Sequence, residues 1–147
     1  MVEKTQLKVL EEREVIGKKY FVFPILEDLG VQNATSTRDF TSEDEFLSAL
    51  NIPTNTWTSA EQIHKDLIIH VASENAGQKK TAGADGLITN IPDVPLTIRT
   101  ADCLAITLFD PENQVLGMAH AGWRGSFMRI GEKLVGKIVQ FAEPPPR

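Results

Sequence analysis

An α/β (α+β) fold of mixed β-sheets flanked by helices is what this sequence predicts, on three observations. Short runs rich in Leu, Ile, Thr and Phe at 96–99 and 104–109, and a further apolar run at 114–119, read as strands. Ile130, Leu134, Ile138 and Phe141 recur at helical spacing. Between these two patterns lies HAGWRG at 120–125, a glycine-bearing connection, so the chain reads strand, tight turn, helix. At 147 residues and 16.3 kDa it is expected to form one domain over residues 1–147 with a sizeable core.

Taken in order, residues 7–10 predict a modest strand, followed by charged EERE. Val15-Ile16, a turn at 17–19 and YFVFPIL at 20–26 complete a hairpin whose second arm, holding Pro24, belongs at an edge or a bulge. Residues 28–40 are loop-like. Their polar cluster Thr35, Ser36, Thr37 and Arg38 either faces a ligand or is a solvated loop. Ser42 followed by Glu45 is a capping-box pattern, and Phe46, Leu47 and Leu50 give the helix at 42–51 an apolar side before Pro53. The segment 55–71 holds His64 and His70, and His70 closes the run LIIH, where a histidine commonly satisfies its ring nitrogens locally. Residues 73–86 predict a long loop returning to the sheet through GADGLIT. DPEN at 110–113 places Pro second in a type I turn and joins the last two strands as a hairpin. The tail EPPPR cannot continue a helix and reads as an exposed end or a truncation point.

Composition narrows the function classes. A net charge of −5 and a pI near 5.2 offer no basic field for nucleic acid or an anionic membrane, although a local arginine cluster can still hold a small phosphate. One cysteine cannot form an internal disulfide, the N-terminus lacks a signal-peptide core, and no apolar run approaches a membrane span. A soluble cytoplasmic protein is expected.

Two features carry chemistry. A turn feeding a helix N-terminus presents unpaired N–H groups, and Arg124 adds a planar donor fork, together a place for phosphate. The plainer reading is a glycine-permitted turn with a surface charge. His64, Cys103 and His120 supply two imidazoles and one thiolate, and three such ligands with an open fourth position are the arrangement catalytic zinc uses. Their separations are long-range, so the spacing leaves open that Cys103 is an inert small hydrophobe on a strand.

The phrases QIH at 62–64, GADGLIT at 83–89, TADCLAI at 100–106 and HAGWRGSF at 120–127, with STR at 36–38, resemble one family across about residues 35–138. It is the laccase-domain or multicopper polyphenol oxidase family, now regarded as zinc-dependent purine nucleoside phosphorylases. The resemblance implies part of an α/β/β/α layered sandwich and a mononuclear zinc held by His64, Cys103 and His120. These three with Asp102 would form the catalytic set, and Arg38 and Arg124 would lie near the substrate phosphate or ribose. The implied partners are phosphate and a purine nucleoside, namely adenosine, inosine, guanosine or 5′-methylthioadenosine, with adenosine deamination as a companion activity. Zinc would activate water for attack at the purine C6, while cationic donors hold phosphate for attack at the anomeric carbon. Asp102 and Asp85 are candidate carboxylates behind the metal or for proton transfer, with turn or structural roles open for both.

Thr35 stands where the family has an aromatic residue, and the segment after Arg38 runs almost directly into the SEDEF helix. No Gly-Pro pair follows the HAGWRG helix as in the family, so the chain is expected to be C-terminally short: a natural short form, a fragment, or a protein completing its core by association. An exposed apolar edge would favour an oligomer. Three alternatives use the same residues. A copper-dependent polyphenol oxidase would take His64, Cys103, His120 and nearby Met118, yet three histidines are too few for a multicopper enzyme. A metal-free hydrolase would use Cys103 as nucleophile and His120 as base. An inactive metal-binding module would show no turnover.

Overall fold

The computed structural model describes residues 8–142. They divide into two compact units, Met1–Thr54 and Asn55–Arg147, of mixed α and β content as the sequence predicts.

The first unit is built on an antiparallel sheet of β1 (Glu11–Val15), β2 (Lys18–Val22) and β3 (Thr35–Ser36), in that spatial order. Its first strand is displaced from the expected place. Leu7 lies outside the described residues, residues 8–10 belong to no strand, and charged EEREV is itself β1. An edge strand tolerates this composition because its charges find partners beside it: Arg13 forks onto Glu27 at 2.7 Å through both terminal nitrogens, and Lys19 meets Glu12 at 2.9 Å. The hairpin turn is Ile16-Gly17, with φ of 49° and 72°, a two-residue type I′ geometry rather than a turn at 17–19. Pro24 does not sit in a strand. It opens α1 (Pro24–Asp28), where a missing N–H costs no hydrogen bond, so YFVFPIL divides into strand and helix.

The α2 helix (Glu43–Ala49) starts where the capping pattern puts it, with Ser42 Oγ accepting from Glu45 N at 3.1 Å. Instead of returning to the Ser42 N–H, the Glu45 carboxylate accepts from Thr41 N at 2.7 Å and pairs with Lys18. Phe46 and Leu47 turn inward, and the Phe40 and Tyr20 rings lie 4.7 and 6.2 Å from that of Phe46.

The second unit contains β4 (Thr58–Ser59), β5 (Ile68–His70), β6 (Gly86–Thr89), β7 (Leu96–Thr97), β8 (Leu104–Asp110) and β9 (Val115–Ala121), then α3 (Trp123–Phe127) and α4 (Ile130–Ala142). Four strands form a mixed sheet in the order β5-β6-β9-β8, parallel between β5 and β6 and antiparallel elsewhere. The strand β6 is buried along its whole length because both faces are covered. On one side Ile130 and Leu134 of α4 pack with Ile68, Ile88, Val115 and Ala119. On the other, Leu87 joins Ala60, Val71 and Ala84, against Leu96 and Ile98 from β7 and the segment after it. Gly117 permits the close approach of α4, since a Cβ there would stand 2.8 Å from Leu134 Cδ1.

The long loop is pinned. Ser59 donates its backbone N–H to Gln78 O and accepts from Thr81 N, while its Oγ takes the Lys80 N–H at 2.8 Å. In the β8–β9 hairpin Asp110 accepts the N–H groups of Glu112 and Asn113 at 3.0 and 3.2 Å, and the strands close on the Asp110–Val115 pair. The single helix expected after HAGWRG is two helices, broken at Arg129 with φ of 62°. The tail 143–147 lies outside the described residues. Among the described residues no helix is long and apolar enough to cross a membrane.

Candidate metal centre

One end of the four-stranded sheet gathers the chemistry. Because β5 and β6 run parallel and β9 antiparallel to β6, the starts of β5, β6 and β8 and the finish of β9 all lie there. His120 is the penultimate residue of β9 and alternates away from the α4 face that Ala119 and Ala121 occupy. The hairpin register pairs Leu104 with Ala121, which sets Cys103, one residue before β8, beside Gly122. His64 arrives on the loop leading into β5.

Donor atoms of His64, Cys103 and His120 lie within 4.8 Å of one another. A single ion, with bonds to nitrogen and sulfur of about 2.0–2.3 Å, would draw these atoms closer together. The imidazole planes stand nearly perpendicular, at 81°, with centroids 5.0 Å apart. Gly122 leaves the space in front of them open: a Cβ there would meet Cys103 Sγ and His64 Cδ2, each at 3.3 Å. Two nitrogen donors, one sulfur donor and a cradle that one methyl group would fill fit a bound metal ion.

Asp85 stands behind this trio, wholly buried just before β6. Its Oδ1 accepts from His64 N at 2.9 Å and from His120 Nδ1 at 3.0 Å; its Oδ2 accepts from Ile63 N at 3.2 Å and Lys65 N at 2.9 Å. A carboxylate accepts only, so Nδ1 of His120 is the donor in this pair, and Nε2 is the ring nitrogen left for an ion. The His64 loop is left-handed at two non-glycine positions, φ 60° at Gln62 and 61° at His64, a conformation costing of order 1 kcal/mol each. Gln62 adds a second tie, donating from Nε2 to Arg99 O at 2.6 Å and accepting Arg99 N at 2.8 Å, which joins the loop to the segment bearing Cys103.

An open cleft of about 330 Å³ lies over the trio, walled also by Gln62, Arg99, Thr100 and Asp102. The half-buried Cys103 thiol points to Asp102 Oδ1 at 3.7 Å; burial first and the Asp102 charge second push its pKa up. A metal reverses that logic by replacing the proton. Arg124 is exposed on α3, its guanidinium carbon 5.2 Å from the Trp123 ring, and is not a wall of the cleft. The turn after His120 therefore leads into a five-residue helix and not a long one. Arg38 belongs to the first unit, exposed just past β3. His70 closes β5 with its ring 4.7 Å from that of Phe141, a strand-end role. Sequence reasoning passed over Arg99, Gln62 as a clamp, and Gly122 as the open face. The nearest signal was Asp85 itself, a carboxylate at the head of an otherwise apolar strand.

Residues 28–146 match the family described as multi-copper polyphenol oxidoreductase laccase. A purine nucleoside phosphorylase of Deinococcus radiodurans is 35% identical over 100 residues, covering 68% of this chain and 38% of that protein. Purine nucleoside phosphorylase YlmD of Bacillus subtilis is 31% identical over 104 residues, covering 66% and 37%. The crystal structure of the hypothetical protein YfiH of Bacillus licheniformis superposes with a TM-score of 0.60 at 28% identity, covering 65% of this chain and 38% of that one. The chain thus spans about two fifths of the length of the curated relatives it matches. With four fifths of its residues inside the family match and the His–Cys–His convergence at the sheet end, this chain belongs to the multi-copper polyphenol oxidoreductase laccase family.

Proposed function

We propose that this chain acts as a zinc-dependent purine nucleoside phosphorylase on adenosine, inosine, guanosine or 5′-methylthioadenosine, with adenosine deamination at the same site. The observation that carries the reading is the meeting of one thiol and two imidazoles beneath an open cleft. His64, Cys103 and His120 would hold the ion, which supplies Lewis-acid polarisation of an oxygen in the cleft. Phosphate attacks the anomeric carbon as the bond to the purine nitrogen breaks, and the proton of hydrogen phosphate ends on the departing base. Asp102, exposed at the cleft, is the carboxylate placed to relay it. Arg124, and Arg38 by its place in STR, are assigned to the phosphate or ribose.

Copper clusters need more imidazoles than the site offers. The chain has three histidines, and His70 is committed to Phe141. The Asp85–His120 pair also has the form of the orienting half of a Cys–His–Asp hydrolase. Against that reading, the Cys103 thiol is pushed up in pKa and not activated.

Metal analysis of the wild type and of Cys103→Ser, with incubation in adenosine, phosphate and zinc, tests the proposal. Expected are about one zinc per chain, a large loss in Cys103→Ser, and adenine with ribose 1-phosphate, or inosine, as product. A blue copper protein, a metal-free protein whose Cys103 alkylates equally fast with and without zinc, or a zinc protein without turnover would each overturn it.

A further inference from the structure

We propose that Asp85 is the positioning residue of this site, one buried carboxylate that fixes two metal ligands by two different routes. The inference rests on the metal reading above. Asp85 holds His64 through its backbone, by taking the consecutive N–H groups of Ile63, His64 and Lys65, and holds His120 through its ring, by taking the Nδ1 proton. Backbone bonds extend the same link: His120 N donates to Asp85 O at 2.7 Å, and Asp85 N donates to Leu67 O at 2.9 Å. The loop 62–65 holds two left-handed non-glycine residues, a conformation that persists only where its surroundings over-determine it, and three of its donors converge on this carboxylate. Asp85 is wholly buried and does not line the cleft. Its action is through the ligands: it presets the His64 backbone and engages His120 Nδ1, so that Nε2 is the ring nitrogen left for an ion.

The donor arithmetic makes the carboxylate irreplaceable by its own amide. Each Asp85 oxygen receives two donors, whereas an asparagine has one acceptor oxygen and one donor nitrogen. Turned one way, the amide nitrogen confronts the Ile63 and Lys65 N–H groups and releases the loop. Turned the other, it confronts the His64 N–H and drives the His120 proton from Nδ1 to Nε2, where it blocks the metal.

The test compares wild type with Asp85→Asn, the 147-residue chain in each case. Zinc affinity is measured by competition with a chelator, and the metal-free proteins are examined by nitrogen NMR of His120 and by amide exchange at residues 63–65. Expected are an Nδ1–H tautomer and protected amides in the wild type. In Asp85→Asn, with the sheet amides unchanged, zinc affinity should fall about 10–100-fold. Zinc affinity within twofold of wild type in a folded Asp85→Asn protein overturns the proposal. An Nε2–H tautomer or rapidly exchanging 63–65 amides in the metal-free wild type overturns it too, without any variant. If wild type binds no zinc, the metal reading fails by itself, and the tautomer and exchange readouts still decide whether Asp85 positions these side chains.

Discussion

At the scale of single residues, Gly122 separates the metal centre from the fold. Its backbone is in an ordinary region, φ −72° and ψ 179°, so alanine is conformationally acceptable there. The crowding of Cys103 Sγ and His64 Cδ2, each 3.3 Å from the added methyl group, opposes it. Gly122→Ala is therefore expected to change the stability of the metal-free protein by no more than about 1 kcal/mol, the glycine-to-alanine gain of about 0.4–1 kcal/mol being opposed by these contacts and by the loss of a favoured N-cap residue. The same change should weaken zinc binding about tenfold or more. Thermal melting with and without excess zinc reads both; a metal-free protein destabilised to the same degree as the loaded one would assign Gly122 to packing alone.

Among the elements, α2 shows how a local cap becomes pH-dependent. Its N-terminus is closed by Ser42 Oγ, and the segment before it is held by the Glu45 carboxylate. Hydrogen bonding from Lys18 first, and from Thr41 second, pulls the Glu45 pKa down from 4.5 to about 2. A carboxyl whose folded pKa lies below its unfolded value stabilises fully above the unfolded value and loses that contribution as pH falls towards the folded one. The stability difference between wild type and Glu45→Gln should thus be present at neutral pH and close between about 4.5 and about 2. The ring signals of Tyr20, the only tyrosine and edge-on to Phe46, report it. A difference that is flat across this window would remove the carboxylate from the account. The β1–β2 hairpin makes the opposite point about local preference: it places a β-branched Ile16 in the first position of a type I′ turn, where Asn is favoured, and the paired charges along β1 hold the register nonetheless.

For the whole molecule, the proposed metal site would link ion binding to folding. His64, Cys103 and His120 come from the approach to β5, the approach to β8 and the end of β9, so an ion joining them would tie separate chain segments at one end of the sheet. Zinc at a hundred times its dissociation constant should stabilise the native state by about 2.7 kcal/mol. The rise in melting temperature should grow with zinc concentration, and amide protection should increase most at 61–67 and 99–104. Protection spread evenly over the chain, or a melting temperature indifferent to zinc, would show that the site does not link these segments.

What the sequence determined by itself was local. The turn at DPEN, the Ser42 cap and the helix period of Ile130, Leu134 and Ile138 follow from residue chemistry within a few positions, whereas the candidate ligand set came from the family resemblance. The EEREV strand and the Pro24 helix were misread because hydrophobicity is a poor guide on an edge strand and because a proline that ends one element can begin the next. Only the tertiary structure decided that His64 meets the other two, and that Asp85 stands behind them. The His64 loop takes its shape from long-range hydrogen bonds to Asp85, Ala84 and Arg99, and no pattern of nearby side chains encodes bonds between segments so far apart along the chain.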